Sequence, residues 1–368
     1  MGQKKAIDTI LEALVDEHVS DIHFKVGSPP VVRRSGDVIH ADGFPRFTSD
    51  HLIQITNEVT TLGHREKIAS GNEVDLAYSL SGKARFRVNI FSQRGTPAIV
   101  MRKIPFEIPR LGELGHPDIV AKIAMERRGL VLVTGATGSG KSTTLAAMIN
   151  EINSRRKAHV VTIEDPIEFL HPDNKCSVCQ REVGIDTPSW PSALRAVFRQ
   201  DPDVILIGEM RDAETAMIAL TGAETGHLVM STLHTTDAPE TINRIIDMFP
   251  GYQQKQIRVQ LGGLLKAVIS QRLLPGVQGK DRVLASEIMV HTATIGNCIS
   301  DPEKFHLIHE TMESGGNQYG MQTFDMCLYN LLKQGKIDEE TALAAATNPT
   351  GLDLKIKGVE SAEDWRIE

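Results

Sequence analysis

The stretch Leu130-Val131-Leu132-Val133-Thr134-Gly135-Ala136-Thr137-Gly138-Ser139-Gly140-Lys141-Ser142-Thr143-Thr144 decides how the second half of the chain folds. Leu130 to Val133 are a short apolar run of the kind a parallel strand needs when it is buried on both faces. Gly135 to Ser142 fit G-x-x-x-x-G-K-[ST] without mismatch, and Leu145 to Ile152 continue as an apolar-periodic helix. Strand, glycine loop and helix in that order mark a phosphate-binding loop. Glycines 135, 138 and 140 are expected at positive φ, so that the backbone from Gly135 through Ala136, Thr137, Gly138, Ser139 and Gly140 wraps a polyphosphate with its N–H groups. The positive end of the helix points at the same phosphates. Lys141 is placed to reach the β- and γ-phosphates, and Ser142, or else Thr143, to hold Mg²⁺.

Downstream, further apolar runs read as strands at His159–Ile163, Val204–Ile207 and Leu228–Ser231, with helical stretches between them. That alternation implies a doubly wound α/β sheet, in which ligands sit at the carboxyl ends of the strands. Glu164-Asp-Pro-Ile-Glu168 follows the second strand, and Glu164 is placed to orient or deprotonate an attacking water. Glu168 reads as a solvated helix residue. The third strand leads into Gly208-Glu-Met-Arg-Asp212, which resembles a Walker B segment with glycine where the magnesium-binding Asp usually stands. Glu209 is then the acid that acts on Mg²⁺, through a water. His227 and His234 bracket the fourth strand; His234 is a catalytic candidate and His227 a nucleotide contact.

Upstream, Ile7, Ile10, Leu11, Leu14 and Val15 recur at helical spacing, Ser20–Val26 alternates like a strand, and Leu52–Ile68 reads as one helix. Lys83–Phe91 and Ala98–Ile104 read as strands joined through Arg94-Gly95-Thr96. Residues 1–105 therefore form a small α+β domain. Pro105–Pro117 reads as a linker, leaving domains at 1–105 and 118–290 with a helical region over 291–368. In that last region Phe324, Leu328, Leu331 and Leu332 make an apolar stripe, Gly335 a stop and Asp338 a cap.

With 368 residues, 41% hydrophobic and 24% charged, the chain suits a globular protein of two domains. A net charge of −7 argues against a nucleic-acid groove. Met1-Gly-Gln-Lys-Lys-Ala6 lacks a signal peptide's apolar core, and no apolar run reaches membrane-spanning length, which points to a cytoplasmic protein. Of the four cysteines, Cys176 and Cys179 form a lone C-x-x-C, read as reduced thiols in a loop.

These motifs, in this order, resemble the secretion ATPases of type II secretion and type IV pili. The resemblance covers about residues 6–345: the loop Gly135–Thr143, the acidic box Glu164–Glu168, Gly208–Arg211 with its glycine, and the box Gly226–His234. Ser20-Asp-Ile-His-Phe24, Arg85-Phe-Arg-Val-Asn89 and Arg102 resemble that family's N-terminal, PAS-like domain, and the short length is similar to its pilus-retraction (twitching-motility) branch. The resemblance implies a RecA-like P-loop ATPase domain, ATP with Mg²⁺, and a homo-hexameric ring. It implies a motor that passes work to an inner-membrane platform protein and removes pilin, so that the protein lies peripherally at the inner membrane. Glu164 carries over as catalytic base, Glu209 as the Walker B acid, Lys141 and Ser142 as nucleotide and Mg²⁺ ligands. Arg87 and Arg102 carry over as arginine fingers. One departure stands out: Thr294-Ile-Gly-Asn-Cys-Ile-Ser-Asp301 replaces the main retraction motor's Ala-Ile-Arg-Asn-Leu-Ile-Arg-Glu, which leaves open a main motor or an accessory paralogue. Alternation puts Arg85 and Arg87 on one face of their strand, and a turn at Arg94-Gly95 pairs residue 87 with residue 102, two like charges that an anion between them would compensate.

Two other classes compete. A nucleic-acid translocase would want stacking aromatics and a basic stripe, whereas aromatic content is 5% and the basic runs are short. A nucleotide-gated scaffold without turnover would commonly have lost one of Lys141, Glu164 and Glu209.

Overall fold

The computed structural model describes residues 5–16, 18–104, 107–277 and 282–358, with the backbone alone at Asn317. Met1–Lys4, read above for a signal peptide, Pro105 and Phe106 at the head of the expected linker, and the tail 359–368 lie outside the described residues. By internal contacts the chain separates into two units, Met1–Glu107 with Glu168–Leu170, and Ile108–Ile167 with His171–Glu368.

The first unit holds strands β1 (Val19–Phe24), β2 (Val31–Arg34), β3 (Asp37–His40), β4 (Val74–Leu80), β5 (Ala84–Gln93) and β6 (Thr96–Ile104). They form one antiparallel sheet in the order β3-β2-β1-β6-β5-β4. Burial alternates along β4 and β5, so one face packs and the other meets solvent. On the packed face Ile22, Phe86, Val88 and Ile90 meet Ile7 and Leu11 of the Ala6–Leu14 helix and Leu52 and Ile55 of the Ser49–Val59 helix. Arg94 and Gly95 both take positive φ, 51° and 73°, the geometry of a two-residue hairpin turn. That turn sets the register that pairs Arg87 with Arg102.

The single helix expected over Leu52–Ile68 is two helices, Ser49–Val59 and Leu62–Ala69. Thr60 leaves the helical region, and the Thr61 side chain then caps the second helix by accepting from the His64 N–H. A threonine cap overrides the continuing periodicity. The strand β4 did not emerge from the sequence reading, although Val74-Asp-Leu-Ala-Tyr-Ser-Leu80 alternates throughout.

The second unit holds β7 (Gly129–Gly135), β8 (His159–Glu164), β9 (Ser177–Glu182), β10 (Val204–Ile207), β11 (Leu228–Leu233), β12 (Leu265–Pro275) and β13 (Arg282–Val290). Their order is β13-β12-β7-β11-β10-β8-β9, parallel throughout except for β13. Every residue of β7, β10 and β11 is buried, as strands covered on both faces require. Val131 and Val133 pack towards the Lys141–Arg155 and Asp118–Ala124 helices, while Leu130 and Leu132 pack towards Ala213–Glu224 and Ala238–Asp247.

Three of these strands were not among those read from the sequence. The Gly251–Leu264 helix runs straight into β12, and the Gly262-Gly263 pair in its last turn is a breaker that the sequence reading did not use. The expected cysteine loop is corrected likewise: Cys179 lies on β9, and the buried Cys176 thiol donates to the Arg156 carbonyl at 3.1 Å just before it. Glu168 is exposed but sits in irregular backbone, not in a helix.

Ile108–Pro117, within the expected linker, belongs to the second unit, and Leu111 and His116 are buried there. The Phe324–Lys333, Glu339–Ala345 and Pro349–Ile356 helices gather against Leu274 of β12 and Ala285 of β13. Gly335 turns the chain at φ 67°, and the Asp338 side chain caps the next helix. Among the described residues no helix is long and apolar enough to cross a membrane.

Candidate active site

Strand β7 ends on Gly135 at φ 140°, a conformation that glycine alone adopts freely. A Cβ at that position would lie 2.5 Å from the Gln271 carbonyl of β12 and 2.5 Å from Ser139 Oγ. Gly138 and Gly140 also take positive φ, 80° and 92°. Ala136, Thr137 and Gly138 form an exposed tip, and Ser139 folds back underneath as a buried residue. Gly140 is the N-cap of the Lys141–Arg155 helix and supplies no side-chain cap, which leaves the first-turn N–H groups to an anionic ligand. Lys141 is buried, and its ammonium donates to the Gly135 and Ala136 carbonyls at 2.8 and 3.0 Å, inside the loop that it serves. Ser142 and Thr143 are partly exposed on the same turn.

Parallel pairing brings the other candidates to this edge. Thr134 pairs with Leu233, Ser231 with Ile207, and Ile207 with Ile163. The loop, His234, Gly208-Glu209 and Glu164 therefore leave four neighbouring strands at the same carboxyl end. Glu164 closes β8; its carboxylate accepts from Thr162 Oγ1 at 2.6 Å and Gln180 Nε2 at 3.2 Å. Gln180 was not singled out from the sequence, because its place depends on β9. Gly208 has a packing reason as well: a Cβ there would sit 3.4 Å from the Trp190 ring and 3.5 Å from Glu164 Cα. A larger residue would press on the backbone that aims Glu164.

Glu209 lines a cavity of about 350 Å³ with Arg211, His234, Thr235, Glu240 and Arg244. Arg211 donates to Glu209 Oε2 through Nε at 2.8 Å and pairs through Nη2 at 2.7 Å, while His234 Nε2 lies 3.3 Å from Oε1. The hydroxyl of Ser142 and the carboxylate of Glu209 are hard oxygen donors, which is the chemistry Mg²⁺ takes.

His227 does not belong to this edge. It precedes β11, where Leu228 pairs with Gly129 at the start of β7. Six residues of strand at about 3.3 Å each put it about 20 Å from the phosphate loop. Its Nδ1 lies 3.0 Å from the Gly222 carbonyl and 3.0 Å from Thr225 Oγ1, and its ring packs on Phe198. The nucleotide contact expected of it is replaced by a structural role.

Arg87 and Arg102 stand in the first unit, paired across β5 and β6, with side chains 51% and 73% exposed. Each finds an acid of its own sheet. Arg102 Nε donates to Asp21 Oδ1 at 2.8 Å, and Arg87 Nε lies 3.8 Å from Asp75 Oδ1. Burial alone would raise the Asp21 carboxyl, but hydrogen bonds from Arg102 and Ser20 hold it below the usual carboxylate range. The expected anion between the two arginines thus has local carboxylates as its counterpart here. Neither Asp21 nor Asp75 was singled out, since their positions follow from pairing across β1 and β4.

A family model described as type II/IV secretion system protein matches residues 3–318. The chain belongs to this family. This chain is a P-loop ATPase of that family. The chain is 43% identical over 343 residues to a Pseudomonas aeruginosa protein named type IV pilus retractation ATPase PilT, covering 93% of this chain and 98% of that one. It is 41% identical over 361 residues to the type IV pilus ATPase PilU of the same organism, covering 97% and 93%. Among solved structures it is similar to one titled the pilus retraction motor PilT with bound ADP, at 45% identity and a TM-score of 0.85, over 95% of this chain and 99% of that chain.

Proposed function

We propose that this chain is a hexameric motor ATPase that hydrolyses Mg-ATP to power type IV pilus retraction. The observation that carries the reading is the likeness to a pilus retraction motor along 95% of this chain at a TM-score of 0.85. In the proposed reaction the loop N–H groups of residues 135–140 and the Lys141 ammonium hold the phosphates. Ser142 and, through a water, Glu209 would hold Mg²⁺, which would supply positive charge to stabilise the phosphates. Glu164, aimed by Thr162 and Gln180, orients and deprotonates the attacking water. His234 bonds Glu209 and reports the state of the γ-phosphate. Arg87 and Arg102 are released from their carboxylates to meet the phosphate of a neighbouring subunit, where planar guanidinium groups bind phosphate oxygens bidentately. The work passes to an inner-membrane platform protein, so the motor sits peripherally at that membrane. Deleting the gene in its host tests the reading: hyperpiliated cells that do not twitch are expected, whereas bald cells indicate pilus assembly and overturn it.

One observation favours an accessory paralogue as a second reading. Where the main motors carry arginine, this chain has Gly296, and a Cβ there would lie 2.7 Å from the Gly262 carbonyl of the neighbouring helix. The Ala293–Ser300 helix has no room for an arginine at that position. Expression in a strain lacking its main retraction motor separates the two: an independent motor restores twitching, an accessory one does not.

A further inference from the structure

Behind the phosphate loop lies a buried polar cluster that none of the roles above uses. Gln271 of β12, Thr144 of the Lys141–Arg155 helix and His116 from the segment before β7 are 1%, 2% and 6% exposed. Gln271 Nε2 lies 2.7 Å from Thr144 Oγ1 and 3.0 Å from His116 Nε2, and His116 Nε2 lies 2.9 Å from the same hydroxyl. Burial lowers the His116 pKa to about 4, so the imidazole is neutral and brings no charge beside the loop.

Gln271 touches the loop at both ends. Its residue pairs with Gly135, and its carbonyl occupies the space a Cβ on Gly135 would need. Its side chain meets Thr144, one helical turn beyond Lys141, on the helix face Lys141 shares. The neighbouring Ser270 accepts from Thr134 Oγ1 at 2.9 Å, so the strand holds the loop's entry twice. The amide's oxygen and nitrogen are assigned from this network, and in either orientation one amide group bonds both the threonine and the histidine.

We propose that Gln271 is a positioning residue, which uses Thr144 and His116 to hold the first turn of the phosphate helix at a fixed distance from the first glycine of the loop. Lys141 and Ser142 ride on that turn. Phosphoryl transfer depends on donors already in place when charge develops, and a displacement of about 1 Å can cost about 10²-fold in rate. Ground-state binding of a nucleotide through many N–H groups is far less sensitive to the same shift. The proposal rests on the ATP-hydrolysing reading given above.

The test uses the full chain, with phosphate release measured against ATP concentration, ADP binding by calorimetry, and thermal unfolding. Gln271→Met keeps the volume and loses the hydrogen bonds; Thr144→Val does the same on the helix, and Thr144→Ser keeps the hydroxyl. Expected are kcat losses of about 10- to 100-fold in Gln271→Met and in Thr144→Val, with KM and ADP affinity within about 3-fold of the parent. Thr144→Ser should stay near the parent, and the effects of the two singles should not multiply in the double variant, because both break the Gln271–Thr144 bond. The proposal is overturned by parental kcat in Gln271→Met or Thr144→Val, by multiplying effects in the double, by an equal loss in Thr144→Ser, or by a loss that tracks ADP affinity. If Gln271→Met does not fold, the Val and Ser pair at position 144 decides alone. A parent chain that binds ADP and releases no phosphate overturns the hydrolytic reading and this proposal with it; a parent that turns over beside unaffected variants overturns the proposal only.

Discussion

In the parallel sheet, the chemistry sits where strands end. The phosphate loop, Glu164, Glu209 and His234 leave β7, β8, β10 and β11 at one edge, and in-register pairing alone brings them together. In the antiparallel sheet, Arg87 and Arg102 stand mid-strand on a solvent face, each resting on a carboxylate of its own sheet. The first arrangement is fixed by the register of the parallel strands. The second is two ion pairs of different kind: Arg87–Asp75 is exposed on both sides and contributes about 1 kcal/mol or less, while Arg102 is an exposed cation resting on the buried Asp21 carboxylate. On the proposed function, one sheet is the preorganised part of the site, and the other supplies charge that can be lent.

The widest separation between those roles comes from Arg102→Ala. If the arginine is lent to a nucleotide, turnover should fall by about 10³-fold or more while ATP binding and ring formation persist; phosphate release and size analysis check both, and a loss of only a few-fold would leave Arg102 as an ion-pair partner of Asp21. Glu164→Gln probes the fixed edge: the amide keeps the shape and cannot accept a proton, so turnover should drop by about 10²–10⁴-fold with ATP still bound. Near-parental turnover would move the base elsewhere, with Glu209 the first candidate.

A smaller effect concerns stability. Glu287 of β13 is 1% exposed, accepts from the Ala238 N–H at 2.8 Å, and holds the start of the helix that follows the His234 loop. Burial raises its pKa to about 7, well above the usual carboxylate range, with Asp237 raising it further and the Ala238 N–H and Arg272 opposing. Because the folded state binds this proton more tightly, its stabilisation is complete below the unfolded pKa and is lost as pH rises to about 7. The change is of order 3 kcal/mol. Chemical denaturation from pH 4.5 to 8 should show that slope, and Glu287→Gln should flatten it; an unchanged slope would remove Glu287 as its source. Smallest of all, Cys176→Ser with Cys179→Ser should leave turnover unchanged, since neither thiol contacts the catalytic edge.

Sequence and structure agree best where local chemistry and topology coincide. Gly135, Gly138 and Gly140 are legible because the loop's backbone takes positive φ there, and Glu164 and Glu209 because they stand at the end of an apolar strand or two residues beyond it. His227 misled because a histidine flanking a strand looks the same at either end; only the parallel direction of β11 separates His234 at the carboxyl end from His227 at the other. Gln180, Asp21 and Gln271 were illegible for a related reason. Their roles depend on which strand lies beside which, and nothing in Leu265–Pro275 announces that it will lie against β7.

The claim that one reaction needs both sheets is tested most directly by mixing two inactive chains. Arg102→Ala subunits keep an intact phosphate loop, and Lys141→Ala subunits keep an intact arginine. In mixed rings some sites combine a working loop with a working arginine from the neighbour, and phosphate release should recover to a measurable fraction of the parent rate. No recovery, in rings shown by mass to contain both chains, would contradict the account.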